Sequence, residues 1–168
     1  METYTVETRF RDSAPGSHAI YHHLSSDPDC TGPWAFHRGG FDARTQLARY
    51  ARGGAAAVSV LTEPTEFRGE LEHLAHAAEV LKPNRPAMRK DFLVDPYQVL
   101  EARAAGAGGV LVILAMLDDA TVRALVDCAR RCGMFVLLEA FDRADLERLA
   151  AYDAPAAGGP QILAGVNC

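Results

Sequence analysis

Residues 109–114 read Gly-Val-Leu-Val-Ile-Leu, an unbroken apolar run of strand length. A strand wetted on one side alternates apolar and polar residues, so a continuous run marks a strand covered on both faces. Just before it, Asp95-Pro96 pairs a capping residue with Pro at the first helical position, and Gly106 closes the helix they start. Just after it, Asp118 or Asp119 opens a helix with Val122, Leu125, Val126 and Ala129 on one face, ending at Gly133. Phe135–Leu138 is a second apolar run, and Asp142 caps a helix through Leu149. Beyond a loop rich in Ala, Gly and Pro at 153–160, Ile162–Val166 predicts the last strand. Toward the N-terminus, Ala56–Leu61 and Ala87–Lys90 predict two more strands. Between them lies a helix over 69–81, closed by Pro83 and Pro86. Asp42 caps a helix through Arg52 that Gly53-Gly54 stops.

The first 40 residues are different, with weak periodicity and many breakers, and only His18–Leu24 predicts a short strand there. Two domains of unequal character follow, a divergent N-terminal segment at 1–40 and a regular β/α domain at 41–168. In all, about six strands alternate with helices through short connections, the pattern of parallel strands joined by crossover helices. An open doubly wound sheet and a (β/α)8 barrel both fit. No G-x-G-x-x-G follows the first strand, which argues against dinucleotide binding.

The 168 residues suit one core-forming chain with 49% apolar residues, ordinary for a globular protein. The net charge of −5 and the scattering of Arg among Asp and Glu argue against nucleic acid as a partner. No apolar run reaches the length of a membrane span, and METYTVETRFRD is too polar for a secretory signal. The expected compartment is therefore the cytoplasm, with Cys30, Cys128, Cys132 and Cys168 as reduced thiols. Cys128 and Cys132 share a helix face as small packing residues, and their spacing does not suggest zinc.

In a β/α barrel the polar residues at the C-terminal strand ends build the active site. Here Thr62 and Glu63, then Arg89, Lys90 and Asp91, then Glu139, then Asn167 each follow an apolar run, whereas Leu114-Ala115-Met116 ends its strand without a polar group. Singly, each reads as a loop or capping residue. Together, an ammonium, a carboxylate and an amide at one rim would suit proton transfer on a small anion.

These same residues carry a family resemblance. Ala57-Val58-Ser59-Val60-Leu61-Thr62-Glu63 resembles the second-strand motif of the indole-3-glycerol phosphate synthases. Arg89-Lys90-Asp91-Phe92-Leu93-Val94-Asp95-Pro96-Tyr97-Gln98-Val99, followed by Glu101-Ala102-Arg103 and Gly106-Ala107, is similar to the family's third-strand signature almost residue for residue. Leu137-Leu138-Glu139 and Gly165-Val166-Asn167-Cys168 match its fifth and sixth strand ends. The resemblance implies a partial (β/α)8 TIM barrel of about six parallel strands. It also implies a carbon–carbon lyase of tryptophan biosynthesis that closes and decarboxylates 1-(2-carboxyphenylamino)-1-deoxyribulose 5-phosphate. No cofactor or metal is implied. Lys90 would be the general acid at the substrate ketone, Glu139 a partner in later proton transfers, and Asn167 the residue that orients substrate. Phe92 would line the aromatic pocket, with Glu63 and Leu114 as further substrate-binding positions.

The departures are specific. The family's first strand carries Glu-x-Lys and then a Ser-Pro-Ser loop, but no lysine precedes Lys82 here. His22 or His23 would replace that charge only if protonated beside a carboxylate. The sequence ends at Cys168, where the family continues with an Arg-Asp-Leu turn and two strands whose loops bind phosphate. The expectation is a truncated barrel with impaired activity. Its sheet edge would be open to covering by the N-terminal segment or to self-association into a homo-oligomer.

Overall fold

A computed structural model of the chain describes residues 43–152 and 161–167, together with the backbone of 7–9 and 18–24. The strands are β1 (Glu7–Arg9), β2 (His18–Leu24), β3 (Ala57–Leu61), β4 (Ala87–Lys90), β5 (Gly109–Ile113), β6 (Phe135–Ala140) and β7 (Ile162–Val166). The helices are α1 (Ala43–Arg52), α2 (Leu71–Leu81), α3 (Pro96–Ala104), α4 (Asp119–Arg131) and α5 (Arg143–Ala150). A short 3-10 turn spans Leu114–Met116.

The strands lie side by side in chain order, β1 through β7. From β2 to β7 every neighbouring pair is parallel. A doubly wound sheet reverses its strand order at a switch point; this one never does, so the barrel-type topology is the one adopted. The six parallel strands and their alternating helices form part of a (β/α)8 barrel. Two strands, β1 and β2, precede residue 41 yet belong to this sheet, with β1 paired antiparallel to β2. The sheet curls enough that β1 also lies against β7 at the far end of the order.

Local chemistry explains the helix boundaries. Asp95 accepts a hydrogen bond from the Tyr97 backbone N–H, and the Gln98 side-chain oxygen accepts one from the Asp95 backbone N–H, a complete capping box beside Pro96. Asp118 accepts from Thr121 N–H, and Asp142 from Asp145 N–H. The helix expected from residue 69 begins at Leu71, because Gly69 is committed to the preceding loop. Asp42 and the 153–160 loop lie outside the described residues.

Alternation along the strands separates two apolar layers. Val58, Val60, Ala87, Val110, Val112, Val136, Leu138 and Ala140 pack outward against Leu74, Ala78, Val99, Val122 and Leu125 of the helices. Met88, Leu111, Ile113, Leu137 and Leu163 form a second cluster on the inner face, with Phe135 against it. Residues 109–114 are all buried, as a strand covered on both sides must be. Gly109 makes the inner packing possible, because a Cβ there would stand 2.3 Å from the Phe135 ring. Cys128 is buried in the outer core and Cys132 packs beside it. Burial, with the Cys132 thiol next along the face, pushes the Cys128 thiol up.

Candidate active site

Side chains two apart on a strand share a face. Lys90 therefore shares the inner face with Met88, and Glu139 shares it with Phe135 and Leu137. Along β7 the same rule places Gly165 and Asn167 with Leu163. Glu139 sits between Ile113 of β5 and Gly165 of β7 in the register, and the Asn167 N–H donates to the Ala140 carbonyl. Lys90 is opposite Leu61 on β3. Lys90, Glu139 and Asn167 thus occupy one face at one end of the sheet. The backbones of β4 and β6, two strands apart, are separated by roughly 10 Å.

Glu139 is 2% exposed, and Lys90 and Asn167 are half-buried. Among the described residues, no hydrogen bond or ion pair occupies the Lys90 ammonium or the Glu139 carboxylate. Ionisable groups left free at the C-terminal ends of barrel strands are available to a ligand at the mouth.

The flanking residues behave oppositely. Arg89 faces outward toward α3 and is fully engaged. Its Nη2 donates to Asp91 Oδ2 at 2.8 Å, its Nη1 to the Gln98 carbonyl and Glu101, and its Nε to the Thr62 hydroxyl. The Thr62 hydroxyl in turn donates to Asp91 at 2.7 Å. This network ties the ends of β3 and β4 to α3 and fixes the backbone on either side of Lys90.

Glu63 is half-buried and folds over its own loop. Its two carboxylate oxygens accept from the backbone N–H groups of Thr65, Glu66 and Phe67. Burial pushes this carboxyl up, but the three N–H groups outweigh it and hold the group below the usual carboxylate range. Leu114 is fully buried in the outer core, so its side chain lies with the helices and not at the mouth. Phe92 is 40% exposed beyond β4 and meets the ring of Phe67, with centroids 6.2 Å apart and planes tilted by 48°. Phe67 was not singled out in the sequence, because a lone aromatic in a Pro- and Glu-rich loop carries no periodic signal. Met116 and Phe141, in the loops after β5 and β6, are also exposed, giving the same end an apolar rim. The backbone of His23 is in register with Ser59. No cluster of metal-binding side chains forms among the described residues, and no helix there is long and apolar enough to cross a membrane.

The indole-3-glycerol phosphate synthase family model matches residues 37–159. The chain belongs to this family. A synthase of this name from a Nocardioides species is 49% identical over 114 residues, covering 67% of this chain and 43% of that protein. One from Salinibacter ruber is 43% identical over 109 residues, covering 65% and 40%. The chain thus spans less than half the length of these synthases. Among solved structures, phosphoribosyl anthranilate isomerase from Thermotoga maritima superposes with a TM-score of 0.55 at 16% identity, covering 76% of this chain and 59% of the isomerase. An L-talarate dehydratase from a Polaromonas species gives 0.54 at 12% identity, covering 89% and 42%. At such identities these two likenesses speak to the barrel fold alone.

Proposed function

We propose that this chain carries the acid–base half of an indole-3-glycerol phosphate synthase site in a cytoplasmic enzyme of tryptophan biosynthesis. The reaction is ring closure and decarboxylation of 1-(2-carboxyphenylamino)-1-deoxyribulose 5-phosphate, releasing carbon dioxide and water. The observation that carries this reading is the pair of unengaged groups, Lys90 and Glu139, on one inner face beside Asn167, while Arg89 and Asp91 are tied up outside it. Lys90 donates a proton to the substrate ketone as the aromatic ring attacks it. Glu139 then takes part in the proton transfers of dehydration. Asn167 hydrogen-bonds and orients the substrate, while Phe92 and Phe67 hold its aromatic ring. Glu63 shapes the loop that bears Phe67. No step calls for a metal or cofactor.

Fluorescence of indole-glycerol phosphate formed by the purified protein tests this. Turnover lowered about 100-fold or more by Lys90→Ala is expected for loss of a general acid. Absence of both turnover and product-analogue binding in the wild-type chain would remove the reading.

A second reading, self-association of a non-catalytic partial barrel, draws on β7. Ala164 and Val166, which fall on its outward face by alternation, are exposed, Val166 at 49%. On β5 and β6 the corresponding positions are buried. Light scattering that gives a monomer at micromolar concentration, with no binding of an apolar dye, excludes this reading.

A further inference from the structure

At the end of the sheet opposite the mouth, the α2–β4 and α3–β5 loops line an open cleft of about 260 Å³. Lys82, Arg85 and Arg103 all line it, and no carboxylate does. The chain has only two lysines and a net charge of −5, so three cations here are a local reversal of sign. Among the described residues none of the three forms an ion pair. The two guanidinium groups are only partly used. Arg85 Nη1 donates to the Asn84 carbonyl at 2.8 Å, and Arg103 Nη1 reaches the Ala107 carbonyl at 3.4 Å. Arg85 Nε is buried and has no acceptor. A buried donor on a cation is costly to leave unmade and is open to an acceptor entering the cleft.

Helix dipoles supply part of a bland explanation. The carbonyl ends of α2 and α3 face this cleft, and each carries roughly half a negative charge. Together they offset about one of the three positive charges, leaving about two for a ligand. The walls are held in place. Gly106, at a φ of 87°, lies under Lys82, whose Nζ would be 3.7 Å from a Cβ there. A Cβ on Gly108 would stand 2.6 Å from the Pro86 ring, so the two loops are pressed together. The volume falls below the roughly 300–1,000 Å³ of drug-sized ligand sites. A compact, doubly charged oxyanion fits within that volume and matches the planar donor fork of arginine.

We propose that this cleft binds a small oxyanion of the phosphate class, either free phosphate or the phosphomonoester end of a metabolite. It is separate from the mouth and independent of the reaction proposed there.

The test is titration calorimetry of the full chain with inorganic phosphate, at ionic strength held constant with chloride. Ribose 5-phosphate in a second arm separates the esterified from the free source. One saturable site is expected, weakened at least ten-fold by Arg85→Gln and by Arg103→Gln and unchanged by Lys90→Gln. If Arg85→Gln does not fold, judged by circular dichroism, Arg103→Gln and Lys82→Gln carry the test. Binding no stronger than that of chloride overturns the proposal. So does phosphate binding that survives the cleft substitutions or disappears with Lys90→Gln, which would place the anion at the mouth.

Discussion

Arg89 and Asp91 form an ion pair at 2.8 Å with side chains 6% and 8% exposed, and the residue between them, Lys90, points to the opposite face of the sheet. Strand alternation makes this arrangement unavoidable: three consecutive charged residues cannot all face one way. The pair belongs to the outer layer and holds the strand end on which Lys90 is presented. Asp91→Asn leaves a buried guanidinium with a weakened partner. The expected cost is about 3–5 kcal/mol of stability, read from urea unfolding. Glu101 also pairs with Arg89 but is 32% exposed, so Glu101→Gln should cost no more than about 1 kcal/mol. Equal costs for the two would show that Asp91 is not the anchor.

The Phe67–Phe92 pair links the loops after β3 and β4 at the mouth. Phe92 is too exposed for its loss to open a core cavity, and an aromatic pair contributes about 0.5–1.5 kcal/mol beyond area burial. Phe92→Ala should therefore lower stability by about 1 kcal/mol or less while weakening binding of an anthranilate-bearing ligand. Phe67→Ala should do the same. Calorimetry and thermal unfolding on the same variants separate the two effects. A large stability loss with unchanged binding would make the rings structural.

Much of this was readable because local rules and tertiary packing agree. The run at 109–114 is buried on both sides, Asp95-Pro96 caps α3, and Asp142 caps α5. His18–Leu24 is a strand, as expected from a segment of otherwise weak sequence periodicity. Other features depend on partners distant in sequence. β1 is three residues, Glu-Thr-Arg, with no apolar alternation, and exists as a strand through its pairing with β2. Arg89 and Lys90 look alike in sequence, and only the pleat decides which one meets α3. Leu114 ends an apolar run, and alternation with Val110 and Val112 puts its side chain in the outer core rather than at the mouth. The basic cleft gathers Lys82, Arg85 and Arg103 from two loops, and no spacing rule connects them.

Arg148 of α5 holds the turn that follows β5. Its Nη1 donates to the Leu114 carbonyl at 2.7 Å and its Nη2 to the Leu117 carbonyl at 2.8 Å. Asp119 and the buried Asp145 accept its remaining bonds. Arg148→Met keeps the apolar stem but removes every donor. Two carbonyls and one buried carboxylate then lose partners, so a loss of about 2 kcal/mol or more is expected. Hydrogen exchange gives the sharper readout. Leu117 N–H, bonded to Leu114 O, should lose protection while the β6 amides keep theirs. Protection lost evenly along the chain would mean global destabilisation instead.

Glu63 supplies the pH prediction. Three backbone N–H groups hold its carboxyl below the usual carboxylate range in the folded chain. A lowered folded pKa means that the unfolded chain takes up the proton first as pH falls. The contribution is therefore fully present above the unfolded value and is lost as pH drops through the lowered folded one. Glu63→Gln cannot carry the charge at any pH, although its amide oxygen can still accept one bond. The substitution should lower the melting temperature near neutrality, and the gap from wild type should narrow below about pH 4. Because the loop bearing Phe67 is what this carboxylate organises, ligand binding at the mouth should weaken over the same window. A gap that stays constant from neutrality into acid would show that the loop is held by something other than the Glu63 charge.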